Sequence, residues 1–471
     1  MSQTSILQKL AGAAITLGAV GSVFAADQGT AWTGSADEVR ALVSEVMADA
    51  ETRSSLLAAG SAAGYDNSRH TFFLASDDGS WRLNIGGYVQ FRYFLDFRDD
   101  NGGDEDFESG FDSSRTEVIF DGHVATNVFY KIEGNFVPAG GAFTLQDAYG
   151  GYRWDNGLYV KFGQFKLPYL REELVGDTMQ LTVDRSLTNF TFSQGRSQGV
   201  ELGYEQEDWR VMAAFSDGLN SQNSLVGTNS PFSFNDGFTR GGGESDWAIT
   251  GRFEWKAAGS WDQFKDFTSM PGNEFALLLG VAGTVEQSDN NIPGGVGPGP
   301  DRAFGTADDV AGVGGDTTLG GWTADLSIEG DGWNFYAAAI GHHVSNNLAG
   351  AGGPANSSYD DYGFVVQGGI FIPNTDWEIF GRYDVAVNDS DRTGAGGAAP
   401  GIVAGADDNF NTVTFGANWY WSGHAAKFTV DCQWFLDSAN TLNGPVNSIG
   451  YFQDLSDENE ISVRFQFQFV F

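Results

Sequence analysis

The C-terminal stretch ENEISVRFQFQFVF (458–471) has the alternation of a strand with two different faces. Every second residue from Ile461 to Phe471 is apolar, whereas a serine, an arginine and two glutamines lie between them. Because successive side chains of a strand point to opposite sides, one face of this strand is apolar and the other is polar. A soluble sandwich that buries the apolar face has this pattern, and so does a strand with lipid on one side and water on the other.

The composition favours a β protein. The 471 residues include 65 Gly, 38 Phe, 15 Tyr and 13 Trp but only 11 Pro, a balance unlike that of an all-α protein. Apart from a stretch at the N-terminus, no apolar run reaches the roughly 18 residues that a membrane helix requires. If the chain crosses a membrane, we therefore expect it to cross as a closed barrel of strands.

The N-terminus predicts a secretory signal peptide over residues 1–25. A single basic residue, Lys9, precedes a small and apolar stretch from Leu10 to Phe24, and alanines follow at the expected cleavage site. The mature chain is thus expected to be exported. Its lone cysteine, Cys432, excludes an intramolecular disulfide, so we expect backbone pairing to provide the stability.

Residues 26–80 are expected to form a periplasmic helical and linker segment with one amphipathic helix. Apolar residues recur at spacings of three and four between Asp37 and Ala59, and Ser35 with Glu38 forms a capping box. A short coiled coil that joins subunits beneath a membrane domain has this pattern. A helix packed on its own domain has it too, and the sequence leaves both interpretations open.

The formal net charge of −37, from 62 acidic and 25 basic residues, excludes a nucleic-acid partner, which needs a basic surface. Much of the acidic charge lies in Gly/Asp/Asn-rich stretches at 97–110, 216–246 and 288–318, which predict long exposed loops. The aspartates of the third stretch have the oxygen ligands that Ca²⁺ prefers. Their spacing matches no EF-hand loop, so a solvated acidic loop is the preferred interpretation.

From Trp81 onward the sequence predicts about sixteen strands, among them 158–166, 209–216 and 377–387. It hence predicts an all-β, antiparallel transmembrane barrel over residues 81–471. Short connections such as 125–127 and 155–157 take turns with the long loops. An outer-membrane barrel has this arrangement, with tight turns on the periplasmic side and long loops outside. The connection at 256–273 is the exception, since it is long where a periplasmic turn is expected.

Several predicted strands carry a complete charged face, which a soluble core strand rarely has. We expect this face to line a water-filled lumen, and the pore-wall candidates are Arg92, Arg115, Glu117, Lys131 and Glu133. The terminal Phe471 ends the last strand in the way common to barrels of the Gram-negative outer membrane, so we expect it to act in barrel assembly. The predicted location is the outer membrane, with its lipid as a partner.

Seven motifs give the chain a resemblance to the phosphate-selective porin O and P family. They read LNIGGYVQFRYFLD (83–96), SSRTEVIFDGHV (113–124), FYKIEGNF (129–136), DAYGGYRW (147–154), FGQFKLPYLREEL (162–174), VDRSL (183–187) and SQGRSQGVELGY (193–204). The resemblance implies a homotrimeric porin of sixteen strands whose third external loop folds into the lumen. In this chain, the loop is expected to follow the fifth strand and to run from Leu167 to about Ser197.

The loop implied by this resemblance carries more acidic than basic charge. Its constriction candidates, with the flanking residues, are Lys166, Arg171, Glu172, Glu173, Asp177, Asp184, Arg185 and Arg196. Basic wall residues oppose the acidic loop, and the loop contains no cluster of lysines. Because the charges nearest a narrow pore dominate its field, we predict weak cation preference or near neutrality and no strong phosphate site.

No other chemistry is predicted. The five histidines lack zinc-ligand spacing and no P-loop or Ser/His/Asp arrangement stands out, so we expect no metal, cofactor or catalytic residue. The main prediction is a porin for passive diffusion of small hydrophilic solutes and ions, assembled as a homotrimer. Two alternatives are a structural or surface-attachment barrel and an outer-membrane hydrolase.

Overall fold

The computed structural model describes eleven segments of the chain. They are residues 61–97, 107–136, 141–219, 221–223, 244–289, 296–297, 310–311, 316–346, 357–387, 409–437 and 460–471. The predicted signal peptide and the predicted helix between Asp37 and Ala59 lie outside the described residues, as do large parts of the acidic loops.

Sixteen antiparallel strands of the described residues form a closed barrel. In chain order, the strands are β1 (Ser61–Asp66), β2 (Thr71–Ser76), β3 (Arg82–Phe97), β4 (Phe107–Val124), β5 (Val128–Phe136), β6 (Phe143–Arg153), β7 (Leu158–Lys166), β8 (Arg196–Glu205), β9 (Trp209–Ser216), β10 (Glu244–Ala258), β11 (Ala276–Asp289), β12 (Val296–Gly297), β13 (Val310–Ala311), β14 (Asp316–Gly330), β15 (Trp333–Asn346), β16 (Ser357–Phe371), β17 (Trp377–Val387), β18 (Asn409–Ser422), β19 (Ala426–Phe435) and β20 (Ile461–Val470). The barrel consists of β3–β11 and β14–β20, and β20 closes it by pairing with β3, from Ile461 opposite Phe97 to Val470 opposite Tyr88. The predicted all-β barrel of about sixteen strands is confirmed.

The barrel is polar inside and apolar outside, as its last strand illustrates. Arg464 and Ser462 are fully covered on the inner face of β20, whereas Phe467 and Phe469 are 40% and 49% exposed on the outer face. Other strands repeat this arrangement, with large apolar side chains such as Phe215 exposed on the outer surface. Because lipid meets this surface in a membrane, the exposed rings bear no penalty for contact with water there. The alternation in the C-terminal stretch is therefore that of a barrel wall.

The connections alternate in length around the barrel, as predicted. Tight turns such as 125–127, 154–157 and 331–332 lie at one end, and the longer connections, apart from the one between β10 and β11, lie at the other end. β7, β9 and β17 begin and end at the predicted residues. The predicted arrangement of tight periplasmic turns and long external loops thus agrees with the order of the strands.

The N-terminal side of the barrel differs from the prediction. Residues 61–76, expected within a helical or linker segment, form the hairpin β1–β2, and β2 pairs with β3 from Phe72 opposite Ile85 onward. Because β20 ends at Val470, opposite Tyr88, β2 pairs with the part of β3 that the C-terminal strand does not reach. Pairing with β3, rather than a long apolar alternation of its own, gives this short segment its strand conformation.

Two connections that turn into the barrel carry short helices. The loop after β7 contains α1 (Arg171–Leu174), a 3-10 helix (Asp177–Met179) and α2 (Leu187–Phe192). The connection between β10 and β11 contains a 3-10 helix at Gln263–Lys265. Among the described residues, no helix has the length and apolar character needed to cross a membrane.

Candidate pore constriction

The loop after β7, residues 167–195, lies inside the barrel, and we call it the inner loop. Pairing of β7 with β8 ends at Lys166 opposite Arg196, and Pro168 has no N–H with which to extend the ladder. The chain then turns into the lumen. Ser186 starts α2 by accepting, at its hydroxyl, a hydrogen bond of 2.9 Å from the backbone N–H three residues later. The inner loop therefore takes the path that the family resemblance implies.

Apolar side chains fix the inner loop on one half of the barrel wall. The inward positions of β15–β19 include an apolar set, namely Tyr336, Ala338, Ile340, Val365, Phe380, Ala386, Phe410 and Phe435. Leu170, Leu187 and Phe192 of the loop pack on part of this surface, and Val175 and Leu181 pack on the rest. Complete burial stabilises side chains of this size by about 1.5–3 kcal/mol each. The loop is thus held against this half of the lumen.

Asp184 joins the inner loop to the strands on both sides of the barrel seam. Its carboxylate accepts hydrogen bonds from Arg92 Nη1 at 2.8 Å, Arg115 Nη2 at 2.9 Å and Arg464 Nη1 at 3.2 Å. Burial alone raises the pKa of Asp184, but the three guanidinium groups outweigh burial and hold this pKa below its usual range. The carboxylate therefore stays ionised at neutral pH.

Arg382 of β17, four strands along the sheet from β3, also holds the inner loop. It donates to Thr182 Oγ1 at 2.6 Å and to the carbonyl oxygen of Asp184 at 2.8 Å, and it lies 3.7 Å from Glu172. Glu172 in turn accepts hydrogen bonds from the N–H and the hydroxyl of Ser186, both at 2.6 Å. Arg382, Glu172 and Asp184 are at most 3% exposed. Protein atoms therefore fill this part of the lumen.

Basic side chains stay partly exposed on a different part of the wall, the inward face of β4–β8, which we call the open side. The side chain of Lys131 is 25% exposed there, and that of Arg115 is 16% exposed. By contrast, Arg92 and Arg464 lie under the inner loop and are at most 1% exposed. We call the inward faces of β3 and β14–β20 the covered side. We call the space between the inner loop and the open side the passage.

Acidic and basic side chains of the open side neutralise one another. Lys131 and Arg196 each form ion pairs with both Glu133 and Asp147. The N···O distances to Asp147 are 2.9 Å from Lys131 and 2.7 Å from Arg196. The wall therefore presents compensated charges to the passage rather than a field of one sign.

On the face of the inner loop toward the open side, acidic and basic side chains also neutralise one another. Arg185 lies 2.5 Å from Asp177, and Lys166 lies 3.4 Å from Glu173. Burial alone raises the pKa of Glu173, but Arg185 and Lys166 outweigh burial and lower it to about 2. Glu173 is thus ionised together with its basic partners, and this face of the loop has no uncompensated basic group among these residues.

The structure places the residues that the sequence predicts for the site in two groups, one at the open side and one in the covered parts of the lumen. Those on or facing the open side are Lys166, Glu173, Asp177, Arg185, Arg196, Arg115, Glu117, Lys131 and Glu133. Arg171, Glu172 and Asp184 of the inner loop are directed to the covered parts of the lumen. Arg92, expected to line water, is covered by the loop because its guanidinium group binds Asp184.

Phe471 lies at the seam where the barrel closes. Its N–H donates to the carbonyl oxygen of Gly87 at 3.0 Å, and its own carbonyl oxygen accepts from the N–H of Gly87 at 2.8 Å. A Cβ atom on Gly87 would meet the ring of Phe471 at 3.2 Å and a backbone oxygen at 2.3 Å, so a residue with a side chain does not fit there. The predicted assembly role of Phe471 stays a prediction.

The sequence does not predict the residues of β18 and β19 that bind the inner loop. Lys427 donates to the carbonyl oxygen of Gln180 at 2.9 Å, and Asn418 donates to that of Leu181 at 2.9 Å. Their inward direction follows from the alternation in β18 and β19. Their role does not, because it depends on where a loop more than 200 positions earlier crosses the lumen. Among the described residues, no group of three or more His, Cys, Asp or Glu side chains is placed to hold a metal ion.

The known proteins to which this chain is similar include outer-membrane porins and channels. The family model described as phosphate-selective porin O and P matches residues 85–233, a range that contains the whole inner loop. Among solved structures, the anion-selective porin from Comamonas acidovorans matches with a TM-score of 0.51 at 9% identity, over 83% of this chain and 99% of that chain. The outer membrane channel DcaP of Acinetobacter baumannii matches with a TM-score of 0.49 at 14% identity, over 84% of this chain and 99% of that chain. No curated protein matches the chain significantly.

Proposed function

We propose that this chain is an outer-membrane porin similar to the phosphate-selective porin O and P family. Small hydrophilic solutes and ions pass through it along an off-centre path. The path runs between the inner loop and the open side. Passage is passive, because the barrel satisfies its backbone hydrogen bonds against lipid while its lumen holds water. The supporting observation is the contrast in exposure between the basic side chains of the open side and those of the covered side.

The selectivity of the path is proposed to be weak, with slight cation preference or near neutrality. Its lining combines five basic side chains, Arg115, Lys131, Lys166, Arg185 and Arg196, with five acidic ones, Glu117, Glu133, Asp147, Glu173 and Asp177. Each of the five basic groups lies within 4 Å of a carboxylate oxygen. The acidic external loops add a cation-enriched layer at the mouth, within a Debye length of about 10 Å at 0.1 M salt.

A dedicated phosphate site is not proposed for this path. Strong binding of phosphate requires donors whose charge is not already neutralised by the protein. The basic groups of the path are all engaged by carboxylates, and the inner loop has no lysine cluster. We therefore expect phosphate to permeate as one small anion among others.

The reversal potential of purified protein in a planar bilayer under a KCl gradient tests this proposal. We expect discrete conductance steps and a reversal potential near zero or slightly on the cation-selective side. A strongly anion-selective value, or block of the chloride current by low phosphate concentrations, would contradict the proposed selectivity. Absence of conductance steps would contradict the channel itself and favour a structural or surface-attachment barrel.

The assembly and the N-terminal organisation belong to the same proposal. We propose a homotrimer, exported by a signal peptide at 1–25 and carrying the periplasmic segment at 26–80 before the barrel at 81–471. Polar replacement of the apolar helix positions Val39, Leu42, Val46 and Met47 is expected to weaken the oligomer on native gels while the barrel stays folded. An unchanged oligomer would assign the helix to packing on its own domain. The family match supports a channel, and we propose no catalytic activity.

A further inference from the structure

The connection between β10 and β11, residues 259–275, enters the barrel from the end of the tight turns, and we call it the second insert. The end of β10 lies at that end, because the N–H of Lys256 donates to the carbonyl oxygen of Asp208 in the turn between β8 and β9, at 2.8 Å. From there the insert buries Phe264 and Phe267, each 3% exposed. The connection is long because it reaches into the lumen.

The second insert meets the inner loop, which enters from the opposite end of the barrel. The Arg171 guanidinium group donates to the carbonyl oxygen of Phe264 at 3.0 Å and stacks over the ring of Phe267 at 5.3 Å. The N–H of Phe267 donates to the carbonyl oxygen of Met179 at 3.2 Å. The ring of Phe267 also shares an apolar cluster with Val175 and Leu181 of the loop. Contacts therefore join the two segments through both backbone and side chains.

The same insert is bound to the covered side of the wall. The rings of Phe267 and Tyr336 lie 4.7 Å apart, and Thr268 Oγ1 lies 3.0 Å from the Tyr420 hydroxyl. The Ser269 hydroxyl donates to the carbonyl oxygen of a β14 residue at 2.6 Å. Phe267 is thus packed between the inner loop and the wall of the barrel, and it links the two.

We propose that the second insert positions the inner loop and so sets the free cross-section of the path, with Phe267 and Arg171 as positioning residues. The helices of the loop, four and six residues long, are too short to be stable by themselves. Contacts with the wall and with the insert must hold them in place. When the insert is lost, the loop can move from the covered side and the path widens. This inference rests on the proposed porin function.

Two variants test the inference in single-channel recordings: Phe267→Ala, and replacement of residues 260–273 by a two-residue Asn-Gly turn. We expect both to raise the single-channel conductance, by roughly twofold for the turn replacement and less for Phe267→Ala, with greater current noise. We also expect a larger size limit for neutral sugars in liposome swelling. The conservative variant Phe267→Leu, which restores apolar contact, is expected to return conductance and noise to near the wild-type values.

The matched control is Lys265→Ala in the same insert, because this side chain is 72% exposed and, within the part of the chain that the structure describes, pairs only with the exposed Asp262. It is expected to leave conductance, noise and size limit unchanged. Heat-modifiable migration on gels shows whether each variant barrel is folded. Wild-type conductance and noise in folded Phe267→Ala and in the folded turn replacement would overturn the inference while leaving the porin function intact. A wild-type protein without conductance steps would overturn the porin function and the inference with it.

Discussion

The covered side and the open side of the lumen carry the same kinds of charged residue, but these residues have different roles. Arg464 and Lys131 both occupy inward positions of barrel strands, and both bind carboxylates within 3 Å. Arg464 is fully covered, because Asp184 of the inner loop lies on it, whereas Lys131 is 25% exposed. On the covered side the charges fix a loop, and on the open side they meet the solute path.

This difference has an energetic basis. Exposed ion pairs contribute about 0–1 kcal/mol, because water solvates either partner well. Removal of one partner from a buried pair costs about 3–5 kcal/mol, because the other charge is left without water or a counter-charge. Substitutions on the covered side are therefore expected to move the inner loop, while those on the open side are expected to change the field in the path.

The largest effect is expected from Asp184→Asn. The substitution leaves the buried Arg92 without a carboxylate partner among the described residues and leaves Arg464 with Asp431. The expected loss is on the order of 3 kcal/mol for the attachment of the loop. We expect greater current noise and faster cleavage of the inner loop by external protease in the folded barrel.

The same substitution on the open side, Asp147→Asn, is the matched control. Asp147 binds two basic groups, Lys131 and Arg196. Both keep a second acidic partner, Glu133, and Lys131 has access to water. We expect wild-type noise and protease resistance for this variant. Equal effects of the two substitutions on noise and cleavage would remove the distinction between the two sides.

An intermediate effect is expected from removal of one basic charge on the open side. Lys131→Gln is expected to raise the cation-to-anion permeability ratio by roughly twofold, since Glu133 and Asp147 then face the path without this counter-charge. Reversal potentials under a KCl gradient measure the ratio. Lys265→Gln removes the same charge from an exposed side chain of the second insert and serves as the control, for which no change is expected. If both variants shift the ratio equally, distant charge rather than the open side determines selectivity.

The smallest effect is expected from mild acidification. Because the pKa values of Asp184 and Glu173 are lowered in the folded chain, their ion pairs contribute fully above the unfolded pKa of about 4 and are lost only as pH falls through the lower folded values. Between about pH 7 and about pH 5, we therefore expect no increase in loop noise. A marked rise in noise within this window, in wild type but not in Asp184→Asn, would show that Asp184 is protonated there.

The strands and the direction of their side chains follow from local pattern. β7, β9 and β17 begin and end at the predicted residues, since alternation with period two and the flanking turn residues are both short-range signals. The hairpin at 61–76 escaped prediction, because its strands are defined by pairing with β3 and with each other rather than by a strong alternation. The long connection at 256–273 was visible in the sequence, but not its entry into the lumen.

By itself, the sequence determined that this protein is a barrel with a polar inside, and the family motifs placed a loop after the fifth barrel strand within it. Alternation along a strand indicates which face meets lipid, because positions in contact with lipid are apolar and positions in contact with water are polar. Only the tertiary structure decided that Arg92 and Arg464 are covered while Lys131 is open to solvent. All three residues have the same inward direction in the sequence. Their difference depends on contacts with the inner loop, which is brought to Arg92 and Arg464 by packing between residues distant in the chain.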